Sequence, residues 1–256
     1  MNLFNIIQRL GEVSTSDLLK LPNVEHLSKE TRSSGKVSAS SFSNVSAISD
    51  VLNFALKLEY LESAFYTQGV SSGVIPAADI AIFQQIKKHE NAHVAFLQST
   101  ITSLGATPIT SPNFDFTAAG AFNPFTVYGD FLALSQAFED TGVRAYKGQA
   151  GNLITDNTVL TAALQIHSVE ARHASEVRRL RNKNGMDASA KGWISGNSRG
   201  TLPAATQAIY NGEDNTTQGT VNVTTVTNVG TAAIQEAFDE PLTDTMVLSI
   251  VQPFIV

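Results

Sequence analysis

Apolar residues recur at helical spacing through four long stretches of this sequence, separated by turn-forming residues. The first, SAISDVLNFALKLEYLESAFYTQGV, runs from about Val45 to Val70 and meets the turn SSGVIP at 71–76. The second continues to Leu104 and ends at Gly105, a residue suited to a left-handed helix cap. A long irregular segment rich in Pro, Gly and Thr follows, GATPITSPNFDFTAAGAFNP at 105–124. Asn123 followed by Pro124 predicts that a third helix starts there and reaches about Ala150. After NLITDN at 152–157, a fourth runs to Asn184 and stops at Gly185. Short connections make antiparallel hairpins, and a connection of some twenty residues can cross a bundle's full length. The pattern therefore predicts two helical hairpins joined by a crossover, with helices of roughly 26 to 29 residues.

The flanks read differently. Met1–Leu10 (MNLFNIIQRL) is a short amphipathic helix without the basic start, apolar run or cleavage site of a signal peptide. Residues 21–45 are Ser-rich and read as a linker that includes His26. Beyond 185, VNVTTVTNV at 221–229 alternates like a strand, half of a small hairpin, and Pro241 is positioned to open a last short helix. The expected organisation is an N-terminal helix and linker at 1–45, a bundle at 46–185 and a C-terminal extension at 186–256 packed on it.

Composition narrows the function. A hydrophobic content of 43% in 256 residues supports a buried core, and a net charge of −6 disfavours nucleic acid as a partner. No stretch approaches the length of a membrane span, and cytoplasmic is the default location. With no cysteine, thiolate zinc sites, iron–sulfur clusters and cysteine nucleophiles are excluded, so any metal must be held by His, Asp or Glu.

Two of the five histidines follow a glutamate by three residues, Glu90 with His93 and Glu170 with His173. On a helix that spacing puts both side chains on one face, suited to one metal. Either pair alone is weak, but the larger arrangement repeats. Glu59 precedes Glu90, and Glu139 precedes Glu170, by the same 31 residues; Tyr66 and Tyr146 follow Glu59 and Glu139 by seven. The second set is the first displaced by 80 positions, and Gly105 and Gly185 obey the same offset. An internal duplication is the simplest reading. Within each hairpin, the lone glutamate and the Glu-x-x-His are equidistant from the turn, about 23 Å along the helix at 1.5 Å per residue. Two hairpins packed face to face then converge four carboxylates and two imidazoles at mid-bundle.

Four buried carboxylates repel, and each would cost several kcal/mol unpaired. Two divalent cations balance them. The oxygen and imidazole donors suit iron first, then manganese, and also accommodate zinc. In this reading Glu90 and Glu170 bridge, Glu59 and Glu139 are terminal ligands, and His93 and His173 give one nitrogen per metal. Glu62, one turn after Glu59, competes with it as a ligand, but its counterpart at the 80-residue offset is Gly142. Tyr66 and Tyr146 are either core aromatics or groups that support the site. His89 and His167 read as packing or supporting groups. Arg172, Arg178, Arg179 and Arg181 read as a solvated basic face pairing with Glu176. Gly196–Gly200 matches G-x-S-x-G, but no histidine follows it to complete a triad.

This constellation resembles the ferritin-like di-iron carboxylate superfamily. LNFALKLEYLESAFY (52–66) and QEAFDEPLTDTMVLSIVQPF (235–254) are similar to one branch, ferritin-like domain proteins that include desiccation-related proteins. The resemblance implies an all-α fold, an antiparallel four-helix bundle with a long crossover between its second and third helices. It implies a dinuclear metal site and chemistry with oxygen, peroxide or stored iron, as an oxidoreductase of peroxidase, catalase or ferroxidase type in stress defence. The alternative is a non-catalytic stress protein whose metals only staple the bundle. Where oxygen-activating hydroxylases of the superfamily place Asp before Glu-x-x-His, this chain has His89 and Val169. A homo-oligomer is compatible with this reading, but the long extensions do not suit a closed 24-subunit storage cage.

Overall fold

The computed structural model describes residues 39–256. The expected N-terminal helix, His26 and most of the expected linker lie outside the described residues. Four long helices dominate: α1 (Ala39–Ser72), α2 (Ile80–Ser103), α3 (Tyr128–Gln149) and α4 (Asn157–Lys183). They form the expected ferritin-like helical bundle. The antiparallel register of α1 and α2 shows in the Ser63–Asn91 and Gln98–Tyr60 hydrogen bonds, and that of α3 and α4 in Asp140–Arg178 and Gln136–Arg181. Gly105 and Gly185 have φ of +76° and +71°, the left-handed conformation that ends α2 and α4. Asp156 caps α4 by accepting from the N–H groups of Thr158 and Val159.

Several boundaries differ from the sequence expectation. The helices are 34, 24, 22 and 27 residues long rather than of near-equal length. Residues 39–45, expected as linker, already belong to α1. No Gly or Pro interrupts that stretch, and extending an existing helix is far easier than nucleating one. Asn123-Pro124 does not open α3. The Asn123 carbonyl accepts from Thr126 and Val127, while its own N–H donates to Asp130, so the pair forms a tight turn before the helix begins at Tyr128.

The C-terminal extension begins with loops and a short 3₁₀ turn, Ala204–Ile209, then a two-stranded hairpin of β1 (Thr217–Gln218) and β2 (Val221–Asn222). The alternation at 221–229 thus yields two strand residues; the Asn222 side chain accepts from the Thr224 N–H and turns the chain into 3₁₀. Two short helices follow, α5 (Thr231–Gln235) and α6 (Asp244–Val251). The hydroxyl of Thr243, not Pro241, caps α6, accepting from the Met246 N–H at 3.2 Å. The Leu242 N–H donates to the Arg144 carbonyl on α3, and a β-carbon at Gly148 would lie 2.0 Å from the Leu242 carbonyl oxygen. Glycine at 148 is what lets this strap lie on the helix.

That cover changes the character of α3, where every residue from Phe131 to Tyr146 is buried. Arg144 is bound by Glu213 at 2.8 Å and by the carbonyl oxygens of Ile209, Asn211 and Glu240. Arg178 and Arg181, expected on a solvated face, are 5% and 3% exposed. Arg178 pairs with Asp140, which also accepts from Tyr210, and Arg181 donates to Gln136 and Thr201. These partners come from α3 and from the extension. A reading of α4 by itself could not supply them.

The bundle interior is divided into two apolar layers. One contains Phe65, Tyr66, Phe83, Phe131 and Phe138, the other Leu52, Leu56, Leu97, Tyr146 and Ile166. The polar site lies between them.

Candidate metal centre

Each long helix contributes one glutamate to the cluster of donors: Glu59 from α1, Glu90 from α2, Glu139 from α3 and Glu170 from α4, all 0% exposed. His93 and His173 stand one turn after Glu90 and Glu170 and face the same space. His93 Nδ1 lies 3.2 Å from Glu59, 3.1 Å from Glu90 and 3.1 Å from Glu170. His173 Nδ1 lies 2.9 Å from Glu90, 3.2 Å from Glu139 and 3.7 Å from Glu170. The donors fall into two overlapping groups, Glu59–Glu90–His93–Glu170 and Glu90–Glu139–Glu170–His173, with the ligand atoms of each within 4.8 Å of one another. Glu90 and Glu170 are common to both. All six residues singled out in the sequence are therefore together.

Glu90 Oε1, Glu139 Oε2, both oxygens of Glu170 and His173 Nδ1 are buried without a hydrogen-bond partner among the described residues. Their short mutual distances do not meet the alignment of a hydrogen bond. Buried polar atoms left in this condition are costly, and oxygen and nitrogen donors converging without thiolate fit divalent ions.

The charge balance agrees. Burial, reinforced by neighbouring carboxylates, pushes Glu59, Glu62 and Glu139 well above the ordinary carboxylate range, with the histidines pulling against it at Glu59 and Glu139. Burial would also raise Glu170, but the imidazoles of His173 and His93 beside it outweigh burial and draw its carboxyl down to about 2. Burial opposes charge on His93, yet the surrounding Glu170, Glu59 and Glu90 push it up to about 12, and Glu139, Glu170 and Glu90 raise His173 in the same way. The carboxylates thus recruit positive charge from whatever group is at hand.

The tyrosines bind across the hairpins. Tyr66 donates to Glu139 and Tyr146 donates to Glu59, each at 2.5 Å. Each phenol, counted from its own glutamate in the sequence, serves the carboxylate of the other hairpin. His89 Nδ1 lies 2.8 Å from His173 Nε2, and Gln85 lies 2.7 Å from the far nitrogen of His89. At the offset of 80, His89 corresponds to Val169, so His93 has no matching support from that position. His167 Nδ1 lies 3.0 Å from the Val143 carbonyl oxygen and outside both donor groups. Glu62 is buried beside Gly142, its Oε1 3.3 Å from where a β-carbon at that glycine would stand, and it too is outside both groups. The role of Gln85 and the crossing of the tyrosines were missed in the sequence. The helical spacing from Gln85 to His89 could have signalled the first.

A bundle of this connectivity with carboxylate and imidazole donors at its centre defines a ferritin-like protein. The family model for the ferritin-like domain matches residues 48–183, and the chain belongs to that family. No curated protein matches it. Among the described residues no helix is long and apolar enough to cross a membrane.

Proposed function

We propose that this protein holds two divalent metal ions, iron or manganese before zinc, and reacts with dioxygen or peroxide or handles iron in stress defence. The observation that carries this reading is the pair of donor groups sharing Glu90 and Glu170, with unpartnered lone pairs between them. In this assignment Glu90 and Glu170 bridge, Glu59 and His93 complete one site, and Glu139 and His173 complete the other. Such a metal pair, when bound, supplies redox electrons and Lewis acidity. The protein's own part is orientation. Tyr146 and Tyr66 occupy Oε1 of Glu59 and Glu139 and leave Oε2 facing the imidazoles. His89 accepts the Nε2–H of His173 in the tautomer that leaves Nδ1 free to ligate. The stress-defence assignment rests on the resemblance of 52–66 and 235–254 to desiccation-related proteins.

Elemental analysis of protein reconstituted with Fe(II) or Mn(II) tests the centre. Two equivalents per chain are expected, and none would remove the metal reading. Oxygen or peroxide consumption by the loaded protein separates turnover from a purely structural pair of ions.

A further inference from the structure

The 80-residue repeat that relates the two hairpins is broken in one respect, and the break is localised. On the Tyr66 side of the carboxylates, Phe65, Phe83, Phe131 and Phe138 pack ring against ring, with centroids 5.0 Å apart for Phe65–Phe131, 4.8 Å for Phe83–Phe131 and 5.1 Å for Phe65–Phe138. The positions equivalent to these four by the repeat are Ala145, Ala163, Val51 and Leu58. All four line a cavity on the Tyr146 side, with about 20 Å³ of room for the centre of a water-sized molecule. Replacing phenylalanine by smaller residues at all four equivalent positions accounts for the space. One half of the duplicated core is filled by the phenylalanine cluster, and the other holds this cavity.

The cavity is one residue layer from the candidate metal centre. Its wall includes Tyr146, which donates to Glu59, and Leu58, the neighbour of Glu59. Apart from Tyr146 and Gln149 its lining is apolar, and Phe96, 41% exposed, extends from the cavity to the surface. The space is large enough for one water, but its apolar lining offers too few of the polar partners a water needs and favours a small uncharged apolar molecule. Hydrogen peroxide, with its hydrogen-bonding groups, is disfavoured for the same reason. We propose that this cavity is a docking site for an apolar diatomic gas, dioxygen, giving the centre an apolar approach on the Tyr146 side. Its chemical purpose rests on the proposed dinuclear centre; its existence as a gas site does not.

The test begins with metal-free protein. Crystals pressurised with xenon should show a xenon atom between Ala145 and Ala163. Dissolved oxygen should broaden the methyl resonances of Ala145, Ala163 and Leu58 more than those of Leu132 and Leu134. Ala163→Phe, which installs the residue found at the equivalent position 83, should abolish both signals; Ala163→Leu serves if that variant does not fold. Ordered water in place of xenon, or equal broadening on both sides, would overturn the proposal and leave the metal reading untouched. In protein loaded with Fe(II), the same substitution should slow oxidation by dioxygen several-fold without changing iron content or the rate with peroxide. Equal slowing with both oxidants would also overturn it. Failure to bind iron at all would instead sink the dinuclear centre while the xenon and relaxation results stand.

Discussion

At the scale of single residues, the metal-free site is a collection of misplaced protons. Glu59, Glu62 and Glu139 hold protons that the unfolded chain gives up in the ordinary carboxylate range, and His93 and His173 hold theirs above the ordinary imidazole range. For both kinds of group the native state binds more protons than the unfolded one, so stability falls as pH rises through those ranges. Glu170, lowered to about 2, acts oppositely, but only as pH falls below the usual carboxylate values. The metal-free protein is therefore expected to melt at progressively lower temperature from mildly acidic to mildly alkaline pH. Saturating Mn(II) or Zn(II) should reverse the slope, because bound ions require deprotonated ligands. Melting curves across pH with and without metal check the sign. Glu90→Ala should abolish binding of the second ion, since the two donor groups share that side chain; a variant that retains both ions would contradict the bridging assignment. Arg144→Ala should cost roughly 3–5 kcal/mol by leaving Glu213 buried without its partner, measurable by urea denaturation.

At the scale of elements, the capping and pairing chemistry is local and was legible in the sequence. Gly105 and Gly185 end their helices as the sequence predicted; the Asp156 cap on α4, equally local, was not singled out there, and Asp156→Ala should cost about 1 kcal/mol, read as a lower melting temperature. The offset of 80 that unites Glu59 with Glu139 and Glu90 with Glu170 was legible for a different reason. Two hairpins with matching turns carry their chemistry at matching heights, so the spacing itself encodes the convergence. What escaped the sequence lay in contacts between distant segments. Arg178 and Arg181 look like a solvated stripe until α3 supplies Asp140 and Gln136 and the extension supplies Tyr210 and Thr201. Asn123-Pro124 carries a helix-start signal, yet Asp130, seven residues on, accepts its N–H and holds a turn. Tyr66 and Tyr146 sit in the stripe of their own glutamates but hydrogen-bond across the bundle, 73 and 87 residues away in the chain.

At the scale of the whole molecule, the C-terminal extension is as much a part of the core as the helices it covers. The family match ends at residue 183, yet α3 is buried from Phe131 to Tyr146, with Ile194, Leu202, Ile209, Tyr210, Leu242 and Val247 from beyond the match packed in the same clusters. Removing 204–256 should therefore leave the matched helices without a cooperative thermal transition and open to protease, as calorimetry and limited digestion would show. The crossed tyrosines carry a further consequence. Since Tyr66 serves Glu139 and Tyr146 serves Glu59, a hairpin taken alone would lack both the phenol for its glutamate and the apolar surface that buries it. A chain severed within the crossover should behave as two mutually dependent fragments, each incompetent in isolation and restored by complementation with the other.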